Sequence, residues 1–233
     1  IRDRREIADL AALIRERATD GARFLTGIAG PPGAGKSTLA ARLVAELGPE
    51  ARLIPMDGFH YDNAVLADRG LMHRKGAPET FDAGGFVALL TRLRAGEEAA
   101  IPVFDRAADL ARAGADIVDR RHRLLVVEGN YLLLPDGAWG GVAPLLDLTV
   151  FLDVPEQELE RRLIRRWLEH GLSEQAARGR ALGNDMTNAR LVLGRSIPAE
   201  VRFSDQVESG DRPSDPAGAL KDVARAILTK PAM

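Results

Sequence analysis

Residues 30–37 read G-P-P-G-A-G-K-S, a composition and spacing suited to binding phosphate. The glycines permit backbone conformations that a Cβ would strain, so successive N–H groups can turn toward one anion. Lys36 adds a mobile cation that can follow a γ-phosphate, and the Ser37 hydroxyl is placed to ligate Mg²⁺. The segment therefore predicts a nucleoside triphosphate site. The nucleotide-binding residues expected here are Gly30, Gly33, Ala34, Gly35, Lys36, Ser37 and Thr38.

The alternative interpretation of this segment is a chance glycine-rich turn. Lysine occurs only four times in the 233 residues, so a lysine at the required position is informative. A β-rich apolar run at 24–29 precedes the loop, and a helical run at 39–47 follows it. This is the strand, loop and helix order in which a helix N-terminus supports a bound phosphate.

Two carboxylates follow apolar runs and could handle a proton or a metal ion. Asp57 closes a short predicted strand beside Gly58, and we assign it as the general base for an acceptor hydroxyl. Glu128 ends the apolar run 124–127, where it could hold Mg²⁺ or a substrate hydroxyl. The alternatives are a turn or capping aspartate and a structural glutamate.

Arginines concentrate in the predicted helix 156–169 and the segment after it. The set is Arg161, Arg162, Arg165, Arg166, Arg178 and Arg180. A transferring phosphoryl group gains most from cations that arrive when a site closes, so this helical hairpin is interpreted as a lid. We assign Arg165 to catalysis and Arg161 and Arg166 to the nucleotide. The alternative is pairing with Glu158 and Glu169 at the surface.

The segment 69–82 is irregular and mixes basic residues with glycines and a proline. Loops of this length are uncommon unless they bind something. Arg74 and Lys75 could meet an anionic acceptor or its product, whereas Asp82 could equally cap the next helix. The four histidines are scattered without ligand spacing, so a transition metal held by the protein is not expected.

Strands and helices alternate along the chain, which predicts an α/β fold. The strands are expected at 23–29, 53–56, 101–104, 124–127, 148–152 and 205–208, and the helices at 2–17, 39–47, 84–93, 156–169, 173–182, 185–193 and 220–228. Pro55 argues for a sheet edge, and 105–119 for a hairpin or loop excursion. The expected architecture is the three-layer αβα sandwich of P-loop NTPases, with a mainly parallel sheet and a lid at about 158–190. Ligands then lie at the carboxyl ends of the strands.

Composition favours one domain over residues 1–233, since 45% of the residues are hydrophobic and 28% charged. A net charge of −2 gives no electrostatic reason to expect nucleic acid. No apolar stretch approaches the roughly 20 residues of a membrane span, and cysteine is absent. We expect a cytoplasmic protein without a membrane partner, with a homodimer as one option. The chain begins with Ile1, so a short preceding piece is expected.

Four motifs in fixed order resemble the uridine kinase and bacterial pantothenate kinase superfamily over residues 23–195. They are D-G-F at 57–59, R-K-G-A-P-E-T-F-D at 74–82, I-P-V-F-D at 101–105 and V-E-G at 127–129. The chain is most similar to the branch named after fructose transport system kinases, which shares D-G-F-H, P-V-F-D-R and N-D-x-x-N, here Asn184, Asp185 and Asn188.

The resemblance implies a kinase that uses ATP and Mg²⁺, with Asp57 as the base, Glu128 as a site acid and lid arginines on the phosphate. Uridine kinases place an aspartate and a histidine on the nucleoside where this chain has Gly76 and Asp109. Pantothenate kinases carry longer terminal regions. A polar acceptor pocket suits a polyhydroxylated small molecule such as a sugar. The expected substrate contacts are His60, Arg74, Lys75, Arg106, Asp109 and Tyr131.

Other functions stay open at this point. A pantothenate or nucleoside kinase is one alternative, and a non-catalytic nucleotide-binding regulator is another, although the retained Asp57 weighs against it. A regulatory GTPase or metallochaperone is disfavoured because the chain has no N-K-x-D sequence for guanine.

Overall fold

The computed structural model describes residues 4–19 and 21–204. Its strands are β1 (Phe24–Ala29), β2 (Ala51–Pro55), β3 (Ala99–Asp105), β4 (Leu110–Val118), β5 (Leu124–Gly129), β6 (Leu148–Asp153) and β7 (Val201–Ser204). Its α-helices are α1 (Arg4–Arg17), α2 (Lys36–Leu47), α3 (Asn63–Asp68), α4 (Ala83–Arg94), α5 (Glu156–Glu169), α6 (Glu174–Arg180) and α7 (Met186–Arg195).

Five of the strands form a parallel sheet in the order β2-β5-β1-β6-β7. The two central strands β1 and β5 are buried along their whole length, which explains why their sequences are continuously apolar rather than alternating. β2 lies at an edge, so the prediction from Pro55 is confirmed.

The sheet separates two hydrophobic cores. Alternate residues of β1 face opposite sides, so Ile28 packs with α1, α2, α5 and α7, whereas Leu25 packs with α4 and the segment 131–142. Val126 and Val127 of β5 divide in the same way. The predicted α/β sandwich with a mainly parallel sheet is confirmed.

The segment 99–118 departs from the simplest form of this prediction. β3 and β4 pair antiparallel as a separate two-stranded sheet, so the strand expected at 101–104 does not join the central sheet. For residues 105–119 the sequence left a hairpin or a loop as alternatives, and the structure shows the hairpin. Its turn contains Asp109 at φ 54°, the one non-glycine residue with positive φ in the described part of the chain. The hairpin lies over the carboxyl-terminal end of β2 and contacts the 3-10 turn, residues 56–59, that follows this strand.

Three helices, α5, α6 and α7, cover the segment for which the sequence predicts a lid. α5 has the predicted bounds, and α6 and α7 fall within a residue or two of theirs. α6 continues through a π-helical turn, Ala181–Asp185, directly into α7. The irregular segment 69–82 contains short 3-10 turns, and Asp82 caps α4 by accepting a bond from the Gly85 N–H at 2.9 Å.

The carboxyl-terminal predictions have a mixed outcome. A parallel strand that the sequence did not indicate, β7, follows β6 at the sheet edge. The strand expected at 205–208 and the helix expected at 220–228 lie outside the described residues. Within the described part of the chain, no helix is both long enough and apolar enough to cross a membrane.

Candidate active site

The loop of residues 30–37 joins β1 to α2 at the carboxyl end of the sheet. Gly35 has φ 88° and stands directly before α2, a conformation that a side chain would strain. Lys36 is only 6% exposed, and its ammonium donates to the Pro31 carbonyl at 2.9 Å. The lysine is therefore held folded back over the loop, where a bound phosphate would meet it.

Glu128 and Ser37 meet beside this lysine. The Ser37 hydroxyl donates to the Glu128 carboxylate at 3.2 Å, and Glu128 is 6% exposed. Burial raises the pKa of Glu128 and lowers the pKa of Lys36, and the attraction between their charges opposes both shifts. A cation in this space would strengthen the ionised form of the glutamate.

Mg²⁺ fits the oxygen atoms present here. A hydroxyl and a carboxylate are hard ligands, and Mg²⁺ is commonly held by one or two protein oxygens together with substrate phosphates and water. In the described residues, no group of three or more His, Cys, Asp or Glu could enclose a metal alone. Ser37 and Glu128 would hold the ion, as predicted from the sequence, and bound Mg²⁺ would neutralise phosphate charge.

Asp57 lies at the same edge of the sheet. It stands in a 3-10 turn, Met56–Phe59, immediately after β2, whose Pro55 is in register with Glu128. Its neighbour Gly58 packs so closely against the Pro102 carbonyl of β3 that a Cβ would collide with it. The side chain of Asp57 is 28% exposed and pairs with Arg106 of the hairpin turn at 2.9 Å. The carboxylate thus faces the space between the loop and the hairpin.

A cavity of about 320 Å³ lies on the other side of the loop. Gly33, Gly35 and Thr38 line it from the loop and α2, and Arg161 and Arg165 line it from α5. Ala34 lines it as well, so six of the residues assigned to the nucleotide or to phosphoryl transfer surround one cavity. The cavity supports a nucleotide site between α2 and the lid.

Sequence reasoning missed further residues at this cavity. Arg42 and Ile7 line it, and so does Arg162, which was noted in the lid but given no role. Arg42 follows Thr38 by four residues on α2, so the helical spacing could have placed both on one face. Ile7 could not be found in this way, because α1 reaches the cavity only through packing against α2.

The lid arginines occupy distinct environments. Arg161 binds both oxygens of Glu158 at 2.7 Å and, with Arg162, lowers the pKa of Glu158 to about 2. Arg165 is exposed and pairs with Glu169 at 3.1 Å. Arg166 points elsewhere, toward Asp185 at 2.8 Å.

His60 lies beyond Asp57, between the segment 69–82 and the β3–β4 hairpin. Its ring lies between Phe81, at 3.9 Å between centroids, and Phe104, at 4.8 Å. Its Nδ1 lies 2.9 Å from the Asp57 carbonyl. Burial lowers the pKa of His60 and so favours the neutral imidazole, whose Nδ1–H donates to the Asp57 carbonyl and whose Nε2 is left as an acceptor.

Lys75 is a correction to the substrate-contact prediction. Its side chain is 9% exposed, and its ammonium donates to Asn63 Oδ1 at 2.6 Å, to the Asp109 carbonyl at 2.9 Å and to the Asp109 carboxylate at 2.8 Å. Three acceptors account for the three donors of an ammonium. Lys75 therefore links the turn of the β3–β4 hairpin to the segment 69–82, with Asp109 as its partner in the turn. In this arrangement its ammonium has no N–H left to donate to a substrate.

Tyr131 is a second correction. Its side chain is buried in the core, and its hydroxyl donates to the Gly76 carbonyl at 2.5 Å. Burial raises the pKa of Tyr131 far above its ordinary value. The residue supports the segment around Gly76 from behind instead of contacting a substrate. Arg74 is partly exposed and pairs with Glu79 at 3.0 Å, so it stays a candidate contact beside Arg106.

A phosphate loop with a buried lysine, two carboxylates at neighbouring strand ends and an arginine-bearing helical lid define a P-loop kinase. The chain belongs to the family described as "Phosphoribulokinase / Uridine kinase family", whose model matches residues 25–182. It is thus a phosphotransferase with a hydroxyl group as acceptor, of the uridine kinase and pantothenate kinase type.

Named relatives agree with this family. A protein of Schizosaccharomyces pombe named "Putative uridine kinase C227.14" is 37% identical over 196 residues, which cover 77% of this chain and 82% of that protein. A pantothenate kinase of Sorangium cellulosum is 40% identical over 153 residues, which cover 62% of this chain but only 50% of that protein.

A solved structure shares the fold over nearly its whole length. The crystal structure of a "putative fructose transport system kinase" from Silicibacter sp. TM1040 superposes with a TM-score of 0.81 and 44% sequence identity. The match covers 84% of this chain and 98% of that chain. The resemblance predicted from the sequence motifs is confirmed.

Proposed function

We propose that this protein transfers the γ-phosphate of ATP to a hydroxyl of a small polar acceptor, and that the acceptor is a sugar. The observation that carries the proposal is the position of Asp57. It follows β2, which is adjacent to the strand of Glu128 and is separated by that strand from β1 and the phosphate loop, and it faces the space in which an acceptor would approach. Kinases act mainly by positioning and charge neutralisation, and an alcohol acceptor needs in addition a base near its hydroxyl.

Each residue has one task in this proposal. Lys36 stabilises the charge that develops on the transferring phosphoryl group. Asp57 accepts the proton of the acceptor hydroxyl as the oxygen attacks phosphorus. The Arg106 guanidinium donates a hydrogen bond to the Asp57 carboxylate, so an acceptor must either displace the guanidinium or share the carboxylate with it. Ser37 and Glu128 would hold Mg²⁺, which would neutralise charge on the phosphates.

Two features support a sugar. The expected substrate contacts include a neutral imidazole from His60 and charged partners from Arg74 and Arg106, which suit several hydroxyl groups more than one apolar ring. The similar structure from Silicibacter is described as a "putative fructose transport system kinase". A nucleoside or pantothenate acceptor is the alternative, suggested by the names of other relatives.

ATP turnover measured across sugars, nucleosides and pantothenate tests the proposal. We expect ADP release with at least one sugar, dependent on Mg²⁺, and a product whose mass is increased by one phosphoryl group. Turnover with a nucleoside or pantothenate alone would replace the sugar by that class. Nucleotide binding without turnover on any acceptor would favour the non-catalytic regulator.

We further propose that the enzyme acts in the cytoplasm, where ATP is available and a chain without cysteine needs no disulfide. A homodimer stays a prediction for its assembly. Sedimentation analysis of the full chain would decide between monomer and dimer.

A further inference from the structure

The π-helical turn between α6 and α7, residues Ala181–Asp185, contacts both α5 and the segment 72–80. Single π turns inside helices are rare and occur often at functional positions. The inserted residue reorients the side chains around it relative to a regular helix. Here, the turn presents two adjacent polar residues, Asn184 and Asp185, to different partners.

Asp185 contacts α5, the helix whose arginines line the nucleotide cavity. It is 9% exposed, and one of its carboxylate oxygens accepts bonds from the Arg166 guanidinium at 2.8 Å and from the Trp167 indole at 2.6 Å. The Trp167 ring also lies 5.1 Å from the guanidinium groups of both Arg166 and Arg180. These contacts fix the direction of Arg166.

Arg166 belongs to the helix that borders the nucleotide cavity. Arg161, Arg162 and Arg165 of α5 line that cavity together with the phosphate loop. Because Asp185 binds Arg166 and Trp167 of the same helix, the π turn holds α5 where these three arginines reach the cavity.

Asn184 holds the acceptor side, through the segment 72–80, which we term the acceptor loop. Its amide donates to the Lys75 carbonyl at 2.8 Å, and its oxygen accepts a longer bond from Arg74 at 3.4 Å. The Tyr131 hydroxyl fixes the next carbonyl, that of Gly76. The acceptor loop is thus bonded on one side to the core and on the other to the lid.

We propose that Asn184 and Asp185 are positioning residues that couple the acceptor loop to α5, so that a bound acceptor and a nucleotide held by the arginines of α5 favour each other. The inference rests on the proposed function, because it assigns the acceptor to this loop. Such coupling is reciprocal, so a nucleotide that contacts α5 must also act on the acceptor loop. That consequence can be tested without knowing the acceptor.

The first experiment measures amide hydrogen exchange in residues 72–80 with and without Mg²⁺ and the non-hydrolysable analogue AMP-PNP. In the wild type, we expect nucleotide to slow exchange by at least about fivefold, the lower end of typical allosteric coupling. Asn184→Ala and Asp185→Asn should each lose at least half of that response while still binding the nucleotide. Two variants are used so that a folding defect in one does not decide the result.

Glu156→Gln is the matched control. Glu156 and Arg190 form an ion pair at 2.8 Å between α5 and α7, the elements that Arg166 and the π turn connect, but both side chains are more than half exposed. This variant should keep the full response. Equal responses in all four proteins, or no response in the wild type, would overturn the coupling.

The second experiment uses the acceptor identified by turnover. Asn184→Ala should lower kcat/KM for the acceptor about tenfold and leave acceptor-independent ATP hydrolysis unchanged, whereas Asp185→Asn should lower both. Wild-type kinetics in both variants would overturn the proposal. Absence of any acceptor for the wild type would contradict the proposed function alone, since the exchange experiment still tests the coupling.

Discussion

At the scale of single residues, Asp57 separates a kinase from a nucleotide-binding regulator. Replacing it by asparagine preserves the shape and removes the basicity, so we expect Asp57→Asn to lower kcat by at least about 10²-fold. Nucleotide affinity should hardly change, because Asp57 faces the acceptor side of the loop. Steady-state kinetics and calorimetric titration with AMP-PNP measure the two quantities. A rate near that of the wild type would move the search for a base to Glu128 or Asp105.

Lys36 tests the phosphate side at the same scale. Lys36→Ala removes the buried cation and should reduce transfer by about 10²-fold or more, the usual cost of losing such an electrostatic contact. Transfer is measured by product formation, and circular dichroism verifies the fold. If more than about a tenth of the activity remained, the assignment of the loop to phosphate would fail.

His60 makes stability depend on pH. Burial lowers its pKa in the folded protein below the ordinary value of 6.5, so the unfolded chain takes up the proton first as pH falls. The stability from a neutral His60 is therefore complete above about pH 6.5 and declines as pH drops through the folded-state pKa. His60→Gln should show a shallower decline in the free energy of unfolding between pH 7 and pH 5. Identical slopes in urea titrations would show that His60 does not contribute.

At the scale of elements, the β3–β4 hairpin is held over the site by its turn. Asp109 combines an ion pair to the nearly buried Lys75 with a left-handed backbone, which asparagine tolerates and alanine does not. We expect Asp109→Ala to cost about 1–2 kcal/mol in the free energy of unfolding, since a largely exposed pair contributes at most about 1 kcal/mol and the strain about as much again. Asp109→Asn should cost roughly half of that. Equal losses in urea unfolding would mean that backbone strain is unimportant here.

The lid gains its specificity from the elements around it. Arg161 and Arg165, four residues apart, share the face of α5 that lines the nucleotide cavity, whereas Arg166 pairs with Asp185 of the π turn. A helix of this kind would otherwise be a charged surface helix, with pairs such as Arg165 and Glu169 that contribute little to stability.

At the scale of the whole molecule, the phosphate loop joins the two cores because β1 contributes residues to both. A nucleotide bound at the loop should therefore stabilise the fold as one unit. With Mg²⁺ and AMP-PNP at 100 times Kd, we expect the free energy of unfolding to rise by about 2.7 kcal/mol within a single transition. Lys36→Ala should lose most of this gain at the same concentration. Two separate calorimetric transitions would contradict the prediction of one domain.

The part of the site that could be predicted from the sequence is the part encoded in short segments. The phosphate loop depends on glycines, a lysine and a serine within eight positions, and the strands that flank it are marked by apolar runs buried on both faces. The carboxylates at strand ends follow from the same rule, since parallel strands present their carboxyl ends at one edge. Pro55 likewise marked the edge strand because it cannot donate to a neighbour.

Only the tertiary structure decided which polar side chains are free for a ligand. Lys75 and Tyr131 look like substrate contacts in the sequence, yet one is consumed by Asp109, 34 positions away, and the other by Gly76, 55 positions away. Arg166 differs from its neighbours because it pairs with Asp185, which lies in a π turn that no periodicity indicated. Local patterns fix the period, the caps and the breaks of each element, because those depend on neighbours in the chain. The partner of a long side chain depends on how two elements pack, and that is set by the core as a whole.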